Sequence, residues 1–195
     1  MSHPEALEEL IEFFRQFPGV GRKTATRYAY WLAGQPQEFV HQFGSHVKTL
    51  HEKVKVCQIC GNRTQEDICA ICQDQTRFTG KICVVEQAED ILRIEASQYH
   101  GKYHVLGGVV DPLQKITLQD LFIYSLAERI DREEVSEIIL ALSSTVQGDA
   151  TTVALQRYFS DTDIQITRLG RGLSMGSTIE YVDSQTLNEA FDSRK

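Results

Sequence analysis

Residues 57–72 read CQICGNRTQEDICAIC: two Cys-x-x-Cys pairs, Cys57/Cys60 and Cys69/Cys72, with eight residues, Gly61 to Ile68, between them. Each pair puts two thiolates on one ion from a tight turn, and the short gap lets the chain fold back so that four sulfurs close a tetrahedron. The spacing predicts one structural Zn2+ per chain on Cys57, Cys60, Cys69 and Cys72, with no open coordination position for substrate or water. Two disulfides would suit a small secreted domain. This chain opens MSHPEALEEL, without an apolar signal segment, and has no run of ~18 apolar residues to span a bilayer. The expectation is a cytoplasmic protein with reduced thiols. A thioredoxin-like redox pair would leave the second Cys-x-x-Cys without a role. The fifth cysteine, Cys83, sits in the apolar run Ile82-Cys83-Val84-Val85 and reads as a small buried hydrophobe.

C-terminal to this module, after Gly80, short β-branched runs alternate with helical patterns, which predicts a mainly parallel α/β sheet. The expected strands are Ile82–Glu86, Tyr103–Leu106, Glu137–Leu142 and Ile164–Arg168, and the expected helices Ala88–Ser97, Thr117–Ile130 and Ala150–Phe159.

N-terminal to the cysteines the period is helical. Leu7, Leu10, Ile11 and Phe14 share one helical face, and Ser2 with Glu5 resembles a capping box. Phe17-Pro18-Gly19-Val20-Gly21 then breaks the pattern as a tight turn, and Ala25, Tyr28, Ala29 and Leu32 resume it. The reading is a helix–hairpin–helix, closed at Gly34-Gln35-Pro36 and followed by a third amphipathic segment through Phe39, Phe43, Val47 and Leu50.

Charge says where this chain can touch nucleic acid. A formal net charge of −7 over 195 residues excludes a protein that coats DNA with its whole surface. Yet Phe13 to Leu32 contains Arg15, Arg22, Lys23 and Arg27 and no acid. Without Cβ atoms at Gly19 and Gly21, backbone N–H groups can approach a phosphate, and the next helix offers its unpaired N–H groups and positive dipole end. Arg22, Lys23 and Arg27 add charge, so Gly19, Gly21, Arg22, Lys23 and Arg27 form the predicted, sequence-independent DNA site. The string GVGRKT at Gly19–Thr24 is not a nucleotide-binding loop, because Arg22 stands where Gly must precede Lys.

Glu86 ends the first strand of the α/β part, Asp90 follows one helical turn later, and Asp149 opens a helix after the third strand. Loops at the carboxyl ends of parallel strands build functional crevices, and oxygen ligands suit Mg2+. A phosphoryl-transfer centre needs more carboxylates, however, and Ser143 and Thr145 occupy the loop where an Asp-x-Asp pair would be expected. The acids therefore read as a docking surface first, and as helix caps second. His3, His41, His46, His51, His100 and His104 have no ligand spacing and read as solvated or core residues.

Taken in order, Phe17-Pro-Gly-Val-Gly-Arg-Lys, the four paired cysteines, Ile82-Cys-Val-Val-Glu86, Tyr103-His-Val-Leu-Gly-Gly108, Ile139-Leu-Ala141 with Thr145 to Thr151, and Arg171-Gly-Leu to Glu180-Tyr-Val-Asp183 resemble the bacterial RecR family of recombination mediators. The resemblance covers nearly the whole chain. It implies a helix–hairpin–helix region over 1–53, a four-cysteine zinc module over 54–79, a Toprim domain over 80–168 and a Walker-B-like C-terminal segment over 169–195. It further implies a non-enzymatic protein forming a ring-like tetramer around DNA, which works with RecO and RecF to load RecA at single-strand gaps. Lys23 and Arg27 match the family's DNA contacts. Glu86 and Asp90 match its RecO-binding acids, with Asp149 expected beside them. The alternative class is a Toprim-type, Mg-dependent nuclease or primase. Two stretches depart from the family pattern: Ser143-Ser-Thr-Val-Gln-Gly-Asp149 replaces Asn-Pro-Thr-Val-Glu-Gly-Glu, and Gly172-Leu-Ser-Met-Gly-Ser177 replaces Gly-Leu-Pro-Val-Gly-Gly.

Overall fold

The computed structural model describes residues 3–77 and 79–194. The chain divides into two compact units, Met1–Lys53 and Val54–Lys195.

The first unit is helical: α1 Glu5–Arg15, α2 Arg22–Ala33, α3 Gln37–Lys48 and the short α4 Leu50–Lys53. Ile11 of α1 and Ala25 and Ala29 of α2 are fully buried, with Leu7, Leu10, Phe14 and Val20 packed around them. The two alanines have no bulk to hold α2 away from α1, so the hairpin closes on small side chains. The predicted capping box at Ser2 lies outside the described residues. α1 is preceded by Pro4, whose carbonyl accepts the Leu7 and Glu8 N–H groups, and Glu5 and Glu8 in its first turn suit the positive end of the helix dipole. The turn between the helices needs a glycine at Gly19, where φ is +72°, and is closed by the Val20 N–H on the Phe17 carbonyl. α3 has the predicted amphipathic stripe, but none of its residues is buried, and Phe39, Phe43 and Val47 remain 40–56% exposed.

In the second unit β1 Lys55–Val56 and β2 Arg63–Thr64 pair antiparallel, and α5 Ala70–Gln73 follows. The main sheet contains β3 Lys81–Val85, β4 Lys102–Val105, β5 Glu137–Ala141 and β6 Gln165–Arg168 in the order β4-β3-β5-β6, all parallel as the sequence predicts. Helices α6 Ala88–Glu95, α7 Ile123–Arg132 and α8 Val146–Tyr158 connect the strands, and α9 Ser184–Asp192 follows the last one. β3 is buried on both faces, which is why it reads as an unbroken apolar run rather than an alternation. Its Ile82 and Val84 join Leu126 and Ile130 of α7, Leu155 of α8, Phe159 just beyond that helix and the residues beside them. Its Cys83 and Val85 face Ile91 of α6 together with Tyr103 and Val105. Burial pushes the Cys83 thiol up to about 12, consistent with an inert core residue.

Two predicted helices are displaced. The segment expected as one helix over Thr117–Ile130 is a 3-10 turn at Leu118–Asp120, capped by Thr117 and Asp120, and α7 starts only at Ile123. Leu118 and Leu121 both enter the core and the Phe122 N–H donates to the Leu106 carbonyl, so burial bends the chain where periodicity alone would continue it. Conversely, α8 begins four residues ahead of the expected Ala150 because the Thr145 hydroxyl caps it, accepting the Gly148 N–H at 3.1 Å. Gly148 admits no side chain: a Cβ there would lie 2.0 Å from the Ser143 carbonyl oxygen.

Edge strand β4 carries a buried polar group. Arg129 of α7 is 1% exposed, donates to the Tyr103 carbonyl and pairs with Glu133 at 2.9 Å. His104 bonds the Phe122 carbonyl through Nε2 at 2.9 Å, and its Nδ1 has no partner among the described residues. A carbonyl only accepts, so Nε2 donates, and a second proton on Nδ1 would be buried without an acceptor, which favours the neutral ring. Burial, with a smaller push from Arg129, holds His104 down at about 4. The unfolded chain takes up this proton near pH 6.5 and the fold does not, so stability falls as pH drops from about 6.5 toward 4. The expected loss from this group between pH 7 and pH 5 is about 2 kcal/mol. His104→Gln keeps a donor for the Phe122 carbonyl and should flatten that fall in urea unfolding; the same fall in both proteins would refute the assignment.

Candidate nucleic-acid interface and metal centre

The two cysteine turns are built by backbone hydrogen bonds. Gly61 N–H donates to the Cys57 carbonyl and Cys72 N–H to the Cys69 carbonyl, each at 3.0 Å, so both pairs are drawn into knuckles. All four side chains are buried, and their Sγ atoms lie within 4.8 Å of one another. Cys69 N–H also donates to the Cys57 sulfur at 3.3 Å. Hydrogen bonds from the Cys60 and Cys72 thiols hold Cys69 far below the usual thiol range, and the same bond to Cys69 pushes Cys60 up. The donor set is electron-rich, enclosed and composed only of soft sulfur, so the four cysteines can hold a metal ion. The module is joined to the sheet by the Val105 N–H on the Cys60 carbonyl at 2.8 Å, and Ile71 packs against both the sulfur cluster and the β3/β4 core.

At the hairpin, Gly21 precedes α2 with φ −79° and ψ 168°, an extended conformation any residue can adopt, and a Cβ there would meet nothing within 4 Å. Only Gly19 is required by the turn itself. No side chain caps α2 and no acid lies in its own first turn, so its leading N–H groups have no side-chain acceptor from the cap and the nearest acids are Glu8 and Glu12 of α1. The cations are not equivalent. Arg22 turns toward α1, reaching Glu8 at 2.5 Å and Glu12 at 3.3 Å, so much of its charge is met within the hairpin. Lys23 and Arg27 instead line a shallow surface concavity with Thr24, Thr26 and Tyr30, and no carboxylate is among its lining residues.

On the sheet, the connection of β3 runs to one side and that of β5 to the other, so the crevice expected of a parallel sheet lies between their carboxyl ends. Glu86 and Ser143 occupy it together: Ser143 donates its N–H and its hydroxyl to the Glu86 carboxylate at 2.6 and 3.0 Å. Asp90 accepts the Gln87 N–H at 2.9 Å as half of a capping box on α6. Asp149 is held well below the usual carboxylate range by Arg171 first and Arg168 second. Glu86, Asp90 and Asp149 form no cluster of metal ligands among the described residues; the four cysteines do.

Family models match along most of the chain: "RecR, helix-hairpin-helix" over residues 7–49, "Toprim domain" over 80–170 and "RecR, C-terminal" over 172–195. A protein named Recombination protein RecR from Lactococcus lactis subsp. cremoris is 41% identical over 195 residues, covering 100% of this chain and 98% of its own length. One of the same name from Porphyromonas gingivalis is 43% identical over 189 residues, covering 96% and 91%. The Streptococcus sanguinis relative is 40% identical over 195 residues.

The chain belongs to the RecR family.

With the RecR assignment made, the residues that sequence reasoning missed stand out. Arg168 closes β6 and Arg171 opens the C-terminal part, where Arg171 also reaches Glu189 of α9 at 3.4 Å and accepts the Ser193 hydroxyl on its carbonyl. The available signal was a pair of arginines three apart at the end of the last strand and just beyond it, opposite the lone acid of the preceding helix. Ser143, noted only as a missing carboxylate, is the residue that ties down Glu86.

Proposed function

We infer that this chain, like relatives named Recombination protein RecR, acts in DNA recombination and repair. It is a non-enzymatic mediator, which binds DNA without sequence preference through Gly19, Gly21, Lys23 and Arg27, with Arg22 in a supporting place. Within the family pattern it assembles as a ring-like tetramer in the bacterial cytoplasm, at the nucleoid, and acts with RecO and RecF to load RecA at single-strand gaps. The observation that carries the DNA reading is the uncapped start of α2, with no acid in its own first turn and with Lys23 and Arg27 lining a concavity that no carboxylate enters. Assembly is supported by the bare apolar face of α3 and by the groove where Phe14, Tyr28, Trp31, Phe39 and Phe43 meet. The Ser143 clasp on Glu86 supports the non-catalytic reading, because the crevice carboxylate already has two donors. Glu86, Asp90 and Asp149 then serve as the RecO-facing acidic surface, Asp149 with its charge partly met by arginine. One Zn2+ per chain on Cys57, Cys60, Cys69 and Cys72 suits the four-sulfur donor set and braces the module over 54–79, between the hairpin region over 1–53 and the Toprim domain over 80–168, with 169–195 as the C-terminal segment.

Gly21→Ala tests the phosphate contact with little disturbance of the fold. The new methyl meets open space at an ordinary φ, so thermal stability should stay near wild type. A phosphate drawn to the α2 N–H groups would meet it, however. A charge-assisted hydrogen bond is worth about 1.5–3 kcal/mol, so DNA affinity should fall roughly tenfold or more. Undiminished affinity on gel shift or anisotropy would remove the glycine turn from the site.

A further inference from the structure

The cationic concavity of α2 ends in an aromatic ring. Lys23, Arg27 and Tyr30 all line it, at the i, i+4, i+7 spacing of one helical stripe, with Thr26 between them. At 1.5 Å per residue, Arg27 stands ~6 Å beyond Lys23 along the axis and Tyr30 ~4.5 Å beyond Arg27. Tyr30 takes no part in the buried cluster between α1 and α2 and is 48% exposed. It is nevertheless held: its hydroxyl lies 2.9 Å from His3 Nδ1, and the two rings meet edge to face at 5.6 Å. A restrained, half-open ring at the end of a cation row, in a concavity lined by no acid, has the composition of a single-strand nucleic-acid groove, in which cations track the backbone and an aromatic face takes a base. The glutamates of α1 lie elsewhere, gathered with Phe13 and Gln16 around a separate depression, and two of them are taken by Arg22.

We propose that Tyr30 is a stacking platform for an unpaired base, so that the hairpin takes phosphates of any DNA through Lys23 and Arg27 but gains additional grip on single-stranded DNA. The proposal rests on the DNA-binding reading above and adds a substrate class to it. A duplex keeps its bases stacked on one another and offers Tyr30 only sugar and phosphate, whereas a single strand can turn a base onto the ring.

The test compares the full-length protein with Tyr30→Ala, Tyr30→Trp and Lys23→Ala/Arg27→Ala on three probes of equal length: a single strand, a blunt duplex and a single strand of abasic sites. Tyr30→Ala should weaken single-strand binding roughly tenfold, change duplex binding less than about twofold, and make no difference on the abasic strand. Tyr30→Trp should restore the single-strand affinity. Equal losses on all three probes would overturn the proposal, since Tyr30 would then merely position the cations. A change of native mass in Tyr30→Ala would overturn it as well, by giving the ring to a second copy of this chain. If the Lys23/Arg27 variant binds every probe like wild type, the underlying DNA site is wrong. If that variant weakens on all probes while Tyr30→Ala weakens on none, only the stacking role falls.

Discussion

Replacing Cys57 or Cys72 by serine is expected to release the metal and to leave Val54–Lys195 without a stable native fold. Structural zinc sites bind with apparent free energies of roughly 10–16 kcal/mol, comparable to the whole stability of a typical domain, ~5–15 kcal/mol. Little else could replace that contribution within the module. β1 and β2 are two residues each, α5 is a single turn, and the buried side chains of the module's own cluster are the four cysteines themselves. Loss should spread into the sheet, because the Cys60 carbonyl accepts the Val105 N–H at the end of β4 and Ile71 packs against both clusters. Native mass measurement should find one metal per wild-type chain and none in either variant, together with loss of cooperative unfolding. Cys83→Ser is the control, a buried cysteine outside the cluster that should keep its metal. A soluble, cooperatively folding Cys57→Ser protein without metal would show the ion to be dispensable.

The second large effect concerns Lys23→Ala/Arg27→Ala. Each cation that neutralises one phosphate releases about one counterion, so removing both should flatten the slope of log K against log salt by about 2 units. The loss should be equal across sequences, because neither residue reads a base edge. Arg22→Ala is expected to do less, since Glu8 and Glu12 already meet its charge. Were Arg22→Ala to match the double variant, the ion pairs with α1 would have to open on binding and the ranking of the cations would reverse. An unchanged slope in the double variant would move the DNA path away from the hairpin altogether.

What was legible in the sequence follows from how local each signal is. The cysteine spacing is a covalent constraint within sixteen residues, and the four sulfurs do meet. β3 could be read because a strand buried on both faces is continuously apolar, and the hairpin because Pro18, Gly19 and Gly21 interrupt a helical period. The failures lie where a distant partner decides. The bend at Leu121 and Phe122 depends on the Leu106 carbonyl, and the early start of α8 on a Thr145 hydroxyl with two acceptable roles. Among the site residues, sequence supplied the charges but not their pairing. Arg22 looked equivalent to Lys23 until α1 claimed it, and Asp149 looked free until Arg168 and Arg171 did. Nothing short of tertiary structure reports such long-range partners, 22 residues apart for Asp149 and Arg171 and 57 for Glu86 and Ser143.

The glutamate row on α1 has a kinetic corollary. On the DNA site proposed above, a polyanion drifting past this molecule would be repelled by its net negative charge and gripped along the Lys23/Arg27 stripe. A lone copy should therefore let go quickly, and dwell time on a strand should climb steeply with how many copies arrive side by side rather than with the strength of any one grip. Such a grip would suit the loading role proposed above, because whatever separates the copies also frees the strand.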